Sequence, residues 1–358
     1  MLTAVSFIFV LGVLIFIHEL GHFVVAKKVG IRVHKFSLGF PPNIFSKKVG
    51  DTTYCIGLIP LGGYVKMVGE DPSDESSGAD HEFASKTVGQ RTAVIFAGPF
   101  MNYLLAIFLM IGVLYFGGRP IFDDDRIIVG EVQTDAPADK AGLKEGDIII
   151  AFNGQAVSNF DSLRIRINNK VEEEIEISWL SSTIGTDTTT ASITTMQQLL
   201  PRADGTFDTV GIIGFTQKAI GRERPSLVTA TVEGFVVTHV IVRETFKFIK
   251  QLVTGQASTK MIGGPLFIAQ QSGKEASKGA ANLFFFMALL SVNLAVLNIM
   301  PIPILDGGHL VFLAIEKLKG SPLSIKVRGI AQQVGMVLLF TMIIFVTYND
   351  ILRAFKGN

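Results

Sequence analysis

Residues 2–26 read LTAVSFIFVLGVLIFIHELGHFVVA, an apolar run broken only by His18, Glu19 and His22. About 20 such residues cross the ~30 Å hydrocarbon layer as a helix, and ionisable groups inside one mark function before packing. His18-Glu19-Leu20-Gly21-His22 places two imidazoles at i and i+4 on one helix face. They stand ~6 Å apart along the axis and can share one tetrahedral zinc. Glu19, between them, is then placed as general base toward the attacking water. With 6 histidines and 31 acids in 358 residues, chance supplies fewer than ~0.01 such matches. Lys27-Lys28 closes the run and no basic stretch precedes it as in a signal peptide, so a retained span is expected.

The composition agrees. Hydrophobic residues make up 48% before the 36 glycines are counted, charged residues 18%, and mean hydropathy is +0.44. Soluble domains carry about 25% charged residues. With 32 basic and 31 acidic side chains the net charge is +1, which exerts no pull on a polyanion, so no nucleic-acid partner is expected. The single Cys55 excludes an intrachain disulfide.

Further apolar runs at 92–116, 283–300 and 334–347 bring the spans to four. The expected fold is an α-helical polytopic membrane protein with a soluble, mixed α/β insert. Its expected parts are 1–118 (membrane), 119–222 (insert), 223–282 (connector) and 283–358 (membrane). Ser226 to Val242 is apolar but carries Glu233, Gly234 and His239, and is expected as an amphipathic helix at the interface. Lys27, Lys28, Arg32, Lys35, Lys47 and Lys48 follow the first span; Lys317, Lys319, Lys326 and Arg328 separate the third and fourth. Both basic loops are therefore expected in the cytoplasm, with both termini and the insert outside.

Under that topology the third span ends on the cytoplasmic side, where His18 and His22 also lie, since Lys27 follows His22 by only ~7 Å of helix. There the chain reads Asn298-Ile-Met-Pro301-Ile-Pro303-Ile-Leu-Asp306-Gly307-Gly308-His309. Asp306 is the candidate third ligand, leaving a fourth position for water. The plainer alternative is a helix end with Asp306 as its cap. Pro301 and Pro303 force irregular, extended backbone, which membrane depth tolerates where it lines a wet cavity. Asn298 could hold a substrate backbone or an oxyanion, or only bridge helices. His309 could compete as a ligand, but reads better as an outward or supporting histidine.

Together, HELGH, Gly98-Pro99-Phe100-Met101-Asn102 and NIMPIPILDGG resemble the site-2 protease family of intramembrane zinc metalloproteases, over nearly the whole chain. The resemblance is strongest to its RseP-like bacterial group, which carries PDZ modules. It implies one catalytic Zn2+ on His18, His22 and Asp306, a catalytic Glu19, and substrate handling by Asn298, Pro301 and Pro303. Asn102 enters as a substrate contact through its motif, although small and polar residues such as Gly98 and Asn102 serve helix packing as readily.

Residues 50–70 read as short strands around Gly and Pro turns. A helical substrate hides its scissile amides, and an exposed strand edge could hold the unwound peptide by β-augmentation. The resemblance implies a membrane-associated β-hairpin here, with Gly63, Tyr64, Val65 and Lys66 on the substrate. A cytoplasmic hairpin with no such role is the alternative. Residues 127–215 resemble one PDZ domain, carried by Ala141 to Ile150 and Phe152-Asn153-Gly154, where the bacterial group has a tandem pair. Ser181 to Thr195 reads as an extended hairpin or loop.

The expected protein is a bacterial inner-membrane zinc endopeptidase. Its substrates would be transmembrane segments of single-pass proteins: an anti-sigma factor already shortened outside, or remnant signal peptides. The insert could bind a further peptide or protein, with the lipid bilayer around the spans. The rival is a non-proteolytic PDZ membrane adaptor with a structural metal, against which an acid between the two ligands argues. A channel or transporter would spread its ionisable groups over several spans instead of gathering them at one depth.

Overall fold

The first apolar run forms α1, Leu2–Lys28, with Lys27 and Lys28 in its last turn, where cations complement the helix dipole. This computed structural model describes residues 1–70, 78–182, 188–201, 207–256 and 262–356. After α1 come two long strands, β1 (Val33–Val49) and β2 (Thr52–Met67). Each bends, so the pair makes four rows. Val33–Leu38 pairs on one side with Gly63–Met67 and on the other with Thr53–Ile56, and Asn43–Val49 pairs with Thr52–Gly57. Gly63–Met67 is therefore an outer row, with no strand on its far side among the described residues. The sheet begins well before the expected 50–70.

α2 (Val88–Gly112) starts at a capping box between Thr87 and Gln90, carries Pro99 inside it, and runs on as a π turn, Val113–Gly117. The chain divides into two compact units. One comprises residues 115–226 with 250–256; the other holds the remaining described residues.

In the inserted unit, β3 (Arg119–Phe122) pairs with β12 (Ala219–Glu223). The main sheet uses β4 (Ile127–Val132), β5 (Ile148–Phe152), β6 (Gln155–Ala156), β7 (Glu174–Leu180), β8 (Thr188–Thr194) and β11 (Phe215–Gln217). Its order is β11-β4-β5-β7-β8, with β6 on β5. Two helices, α3 (Pro137–Lys140) and α4 (Phe160–Asn168), accompany it. Their apolar faces close on the sheet in one core that includes Leu143, Ile149, Leu163, Ile177 and Trp179. β9 (Met196–Pro201) and β10 (Phe207–Ile212) form a separate hairpin. The Ser/Thr-rich stretch forms the second strand of the β7–β8 ladder, and residues 183–187 of it lie outside the described set.

Then follow α5 (Leu227–Val253), which belongs to the membrane unit up to residue 249, and, in that unit, α6 (Pro265–Lys278), α7 (Ala280–Ile299), α8 (Asp306–Lys319) and α9 (Ile325–Lys356). Four described helices are long and apolar enough to cross a membrane: Leu2–Lys28, Val88–Gly117, Ala280–Ile299 and Ile325–Leu352. The last is longer at both ends than the expected 334–347. Val10 and Leu14 of α1 pack with Leu105 and Leu109 of α2 and Met287 and Leu290 of α7. Ile241, Val242 and Ile249 of α5 pack on Ala106 of α2 and Val292 and Val296 of α7. Elsewhere on α5, Val228, Val232, Phe235, Val236 and Val240 are exposed.

Two clusters mark the ends of this bundle. At one, Asp350 of α9 caps α6: the Gly264 N–H donates to Oδ1 (3.1 Å) and the Phe267 N–H to Oδ2 (3.0 Å). Gly273 of α6 backs onto Thr3 of α1. The start of α1 and the end of α9 thus share one end. At the other, Arg91 of α2 forks onto both carboxylate oxygens of Glu316 of α8, beside Arg328 of α9.

Candidate metal centre

The i, i+4 spacing on α1 brings His18 Nε2 and His22 Nε2 to 3.2 Å of each other. Asp306, the first residue of α8, supplies Oδ2 at 3.2 Å from His18 Nε2 and 3.6 Å from His22 Nε2. Zinc with bonds of about 2.0–2.1 Å in tetrahedral geometry separates its ligand atoms by ~3.3 Å, so the triangle has the size the ion needs. Asp306 Oδ2 is a buried atom without a hydrogen-bond partner among the described residues, as a carboxylate oxygen awaiting a cation would be. The donor set of two imidazoles and one carboxylate fits zinc.

The imidazoles are held from behind. His22 Nδ1 lies 2.9 Å from the Val94 carbonyl oxygen, which fixes that nitrogen as the N–H and leaves Nε2 for the metal. His18 Nδ1 lies 3.2 Å from the Asn102 side-chain amide. With Nε2 on a metal, Nδ1 carries the proton, and the amide must present its oxygen. Asn102 Oδ1 is a buried atom without a partner among the described residues, and turning the amide lets it accept from the His18 Nδ1–H. Asn102 was expected on the substrate; it stands against His18 instead. Ser291 of α7 donates to the Asn102 carbonyl oxygen at 2.7 Å, tying α2 to α7 at this depth.

Gly98 lets α2 approach. A Cβ there would run into His22 Nε2 and stand 2.6 Å from His22 Cε1 and 2.8 Å from His18 Cε1. Gly307 does the same for the turn into α8, where a Cβ would collide with the Met300 and Ile299 carbonyl oxygens. Asn298 ends α7 half-buried, and Pro301 and Pro303 lie in the 300–305 turn that delivers Asp306. Pro303 sits under Gly335 of α9.

The outer row of the sheet passes beside the acid of the motif. A Cβ on Gly63 would stand 3.1 Å from Glu19 Cγ and 2.8 Å from Ile15 Cγ2. Tyr64, Val65, Lys66 and Met67 then run along the wall of a cavity of about 470 Å³ that His309 of α8 also lines. Glu70, on the same wall, accepts from the Met67 N–H at 3.3 Å, yet burial pushes its carboxyl up to about 7. Sequence motifs could not reveal the roles of Val94, Gly98 and Ser291 as supports, since Val94 acts through its backbone, Gly98 through the absence of a side chain, and Ser291 through a hydroxyl whose partner is 189 residues away.

A model of peptidase family M50 matches residues 6–342. The chain is 32% identical over 435 aligned residues to the zinc metalloprotease RasP of Geobacillus kaustophilus, covering 99% of this chain and 98% of that one. It is 30% identical to the zinc metalloprotease RasP of Oceanobacillus iheyensis, covering 99% and 100%. Among solved structures, the PDZ domain of an SdrC-like protein from Listeria innocua covers 28% of this chain and 100% of that domain, at 22% identity and a TM-score of 0.21.

Proposed function

Because the chain belongs to peptidase family M50 and is an intramembrane zinc metalloprotease, we propose that His18, His22 and Asp306 hold its zinc and that Glu19 is its general base. One observation carries this reading: three ligand atoms within 4.8 Å of one another, drawn from two helices nearly 290 residues apart in sequence, beside the acid of the motif. When bound, zinc supplies a Lewis acid for the scissile carbonyl and brings the pKa of water toward ~7. Glu19 takes the proton of the attacking water and returns it to the leaving amine. Val94 and Asn102 keep both rings aimed while this happens. The outer row Gly63–Met67 receives the unwound substrate as an added strand, placing a backbone amide beside Glu19. Asn298, at the end of α7, donates to the carbonyl oxygen as charge develops, and Pro301 and Pro303 hold the turn open.

The substrate is a transmembrane segment of a single-pass protein, such as an anti-sigma-factor-like stub or a remnant signal peptide. Burial of the site inside the helix bundle supports a membrane-embedded substrate. The setting is a bacterial inner membrane, with the site near the cytoplasmic side and the insert and both termini outside. The basic loops support that orientation, as does the shared end of α1 and α9. α5 lies along the bundle with its exposed apolar stripe toward lipid. The insert is a single PDZ domain that takes an extended peptide. Co-expression with a tagged single-pass substrate, truncated on its outer side, tests the proteolytic assignment. Wild type yields a shorter tagged fragment and Glu19→Gln does not, at equal zinc content; equal cleavage by both removes Glu19 from the chemistry.

A further inference from the structure

The cavity beside the metal centre has walls from four elements: Lys66 of β2 with Glu70 just past it, Arg91 of α2, His309 of α8, and Arg328 and Gln332 of α9. Its charges are unequally matched. Arg91 is committed, its Nη1 3.1 Å from Glu316 Oε2 and its Nη2 on Oε1, with Nε on the Lys86 carbonyl at 3.0 Å. Lys66 is exposed to solvent, which screens its charge, and no ion pair joins it to Glu70 among the described residues. Arg328 is left over. Its Nη2 reaches Glu316 only at 3.9 Å, beyond hydrogen-bond length, and its Nε is buried without a hydrogen-bond partner among the described residues. A guanidinium so placed is a poorly satisfied cation on the wall of a polar cavity. Gln332, one turn on, adds an amide on the same helix face.

We propose that this cavity is a substrate subsite for an acidic side chain, with Arg328 as the receiving cation. The inference rests on the reading that the outer row Gly63–Met67 holds the substrate. That row passes Glu19 at Gly63 and lines the cavity from Tyr64 to Met67. With four residues of that row on the cavity wall, a strand paired along it brings to Arg328 a side chain within about four residues of the scissile bond. Planar, bidentate recognition suits guanidinium to carboxylate better than to a neutral amide. The enzyme therefore selects for Asp or Glu at one fixed distance from the cut.

The test uses the full-length, zinc-loaded enzyme in detergent. Single-pass substrates carry Glu, Gln or Lys at each of five positions on both sides of the scissile bond. Wild type should cut the Glu substrate about tenfold faster than the Lys substrate at one position within about four residues of the bond. Arg328→Gln should bring that ratio near one, Arg328→Lys should keep most of it, and Arg328→Glu should reverse it. Absence of any charge ranking in wild type overturns the proposal without reference to a variant, as does a ranking that survives Arg328→Gln. Val65→Pro is the separate check on the strand reading. It should slow all substrates alike; if it slows none, the strand reading fails while the Arg328-dependent ranking is still read on its own.

Discussion

Gly98→Ala adds one carbon where two imidazoles stand. The new Cβ would lie 2.6 Å from His22 Cε1 and 2.8 Å from His18 Cε1, where ordinary contacts begin at 3.4 Å, and closer still to His22 Nε2. The rings must withdraw by roughly 1 Å, whereas a metal site tolerates shifts of about 0.2 Å in its bond lengths. His22 cannot withdraw without stretching its 2.9 Å hydrogen bond to Val94. Overpacking of this kind costs about 1–3 kcal/mol of stability, and a misplacement of ~1 Å at a reacting group costs about 10²-fold in rate. The fold should survive while zinc affinity and cleavage collapse. Gly89 and Gly112 sit on the same helix with nothing within 4 Å of a Cβ. Alanine at either should leave zinc and cleavage alone and stabilise by up to ~1 kcal/mol. The assay is zinc content by mass spectrometry and fragment yield, for the three variants side by side. Gly98→Ala with wild-type zinc and wild-type cleavage would refute the placement of α2 against the histidines.

Asn102→Leu keeps the volume and removes the acceptor for His18, so zinc affinity by chelator competition should fall about 10–100-fold, with cleavage recovering in excess zinc; unchanged affinity would show that the amide does not orient the ring. Arg91→Met or Glu316→Met alone leaves a buried charge uncompensated and should cost about 3–5 kcal/mol in denaturant unfolding, and the double replacement should recover most of it. Glu70 carries a folded pKa raised to about 7 by burial, so between its ordinary pKa of ~4.3 and 7 the unfolded chain binds fewer protons than the folded one. The metal-free protein should accordingly lose stability as pH rises through that window. Glu70→Gln should flatten the slope, as melting curves at pH 5, 6 and 7 would record.

What the sequence could disclose depended on distance along the chain. His18 and His22 are four residues apart, and helical geometry alone puts them on one face. Asp306 needed topology and a family likeness, since no local rule links it to α1. The outer strand row was expected within residues 50–70, but its partner row, Val33–Leu38, was hidden. That segment pairs on both sides and shifts register repeatedly, so no clean period of two remains. The helix Pro265–Lys278 was lost in a connector, although Pro265 is a fitting first helical residue; its cap, Asp350, is 83 residues from Phe267. Arg91 and Glu316 are 225 residues apart and look like ordinary surface charges until the fold joins them. Asn102 shows how a motif can be located correctly while its contact is not: the residue faces His18, and only coordinates reveal that.

The central claim, that residues from α1 and α8 jointly hold one zinc, is tested most directly by counting metal. Purified wild type and Asp306→Ala, each dialysed against the same low zinc concentration, would be assayed for zinc per chain. The geometry predicts about one ion in wild type and a small fraction of that in Asp306→Ala, because two histidines alone are an incomplete ligand set. Full zinc occupancy in Asp306→Ala would contradict the account.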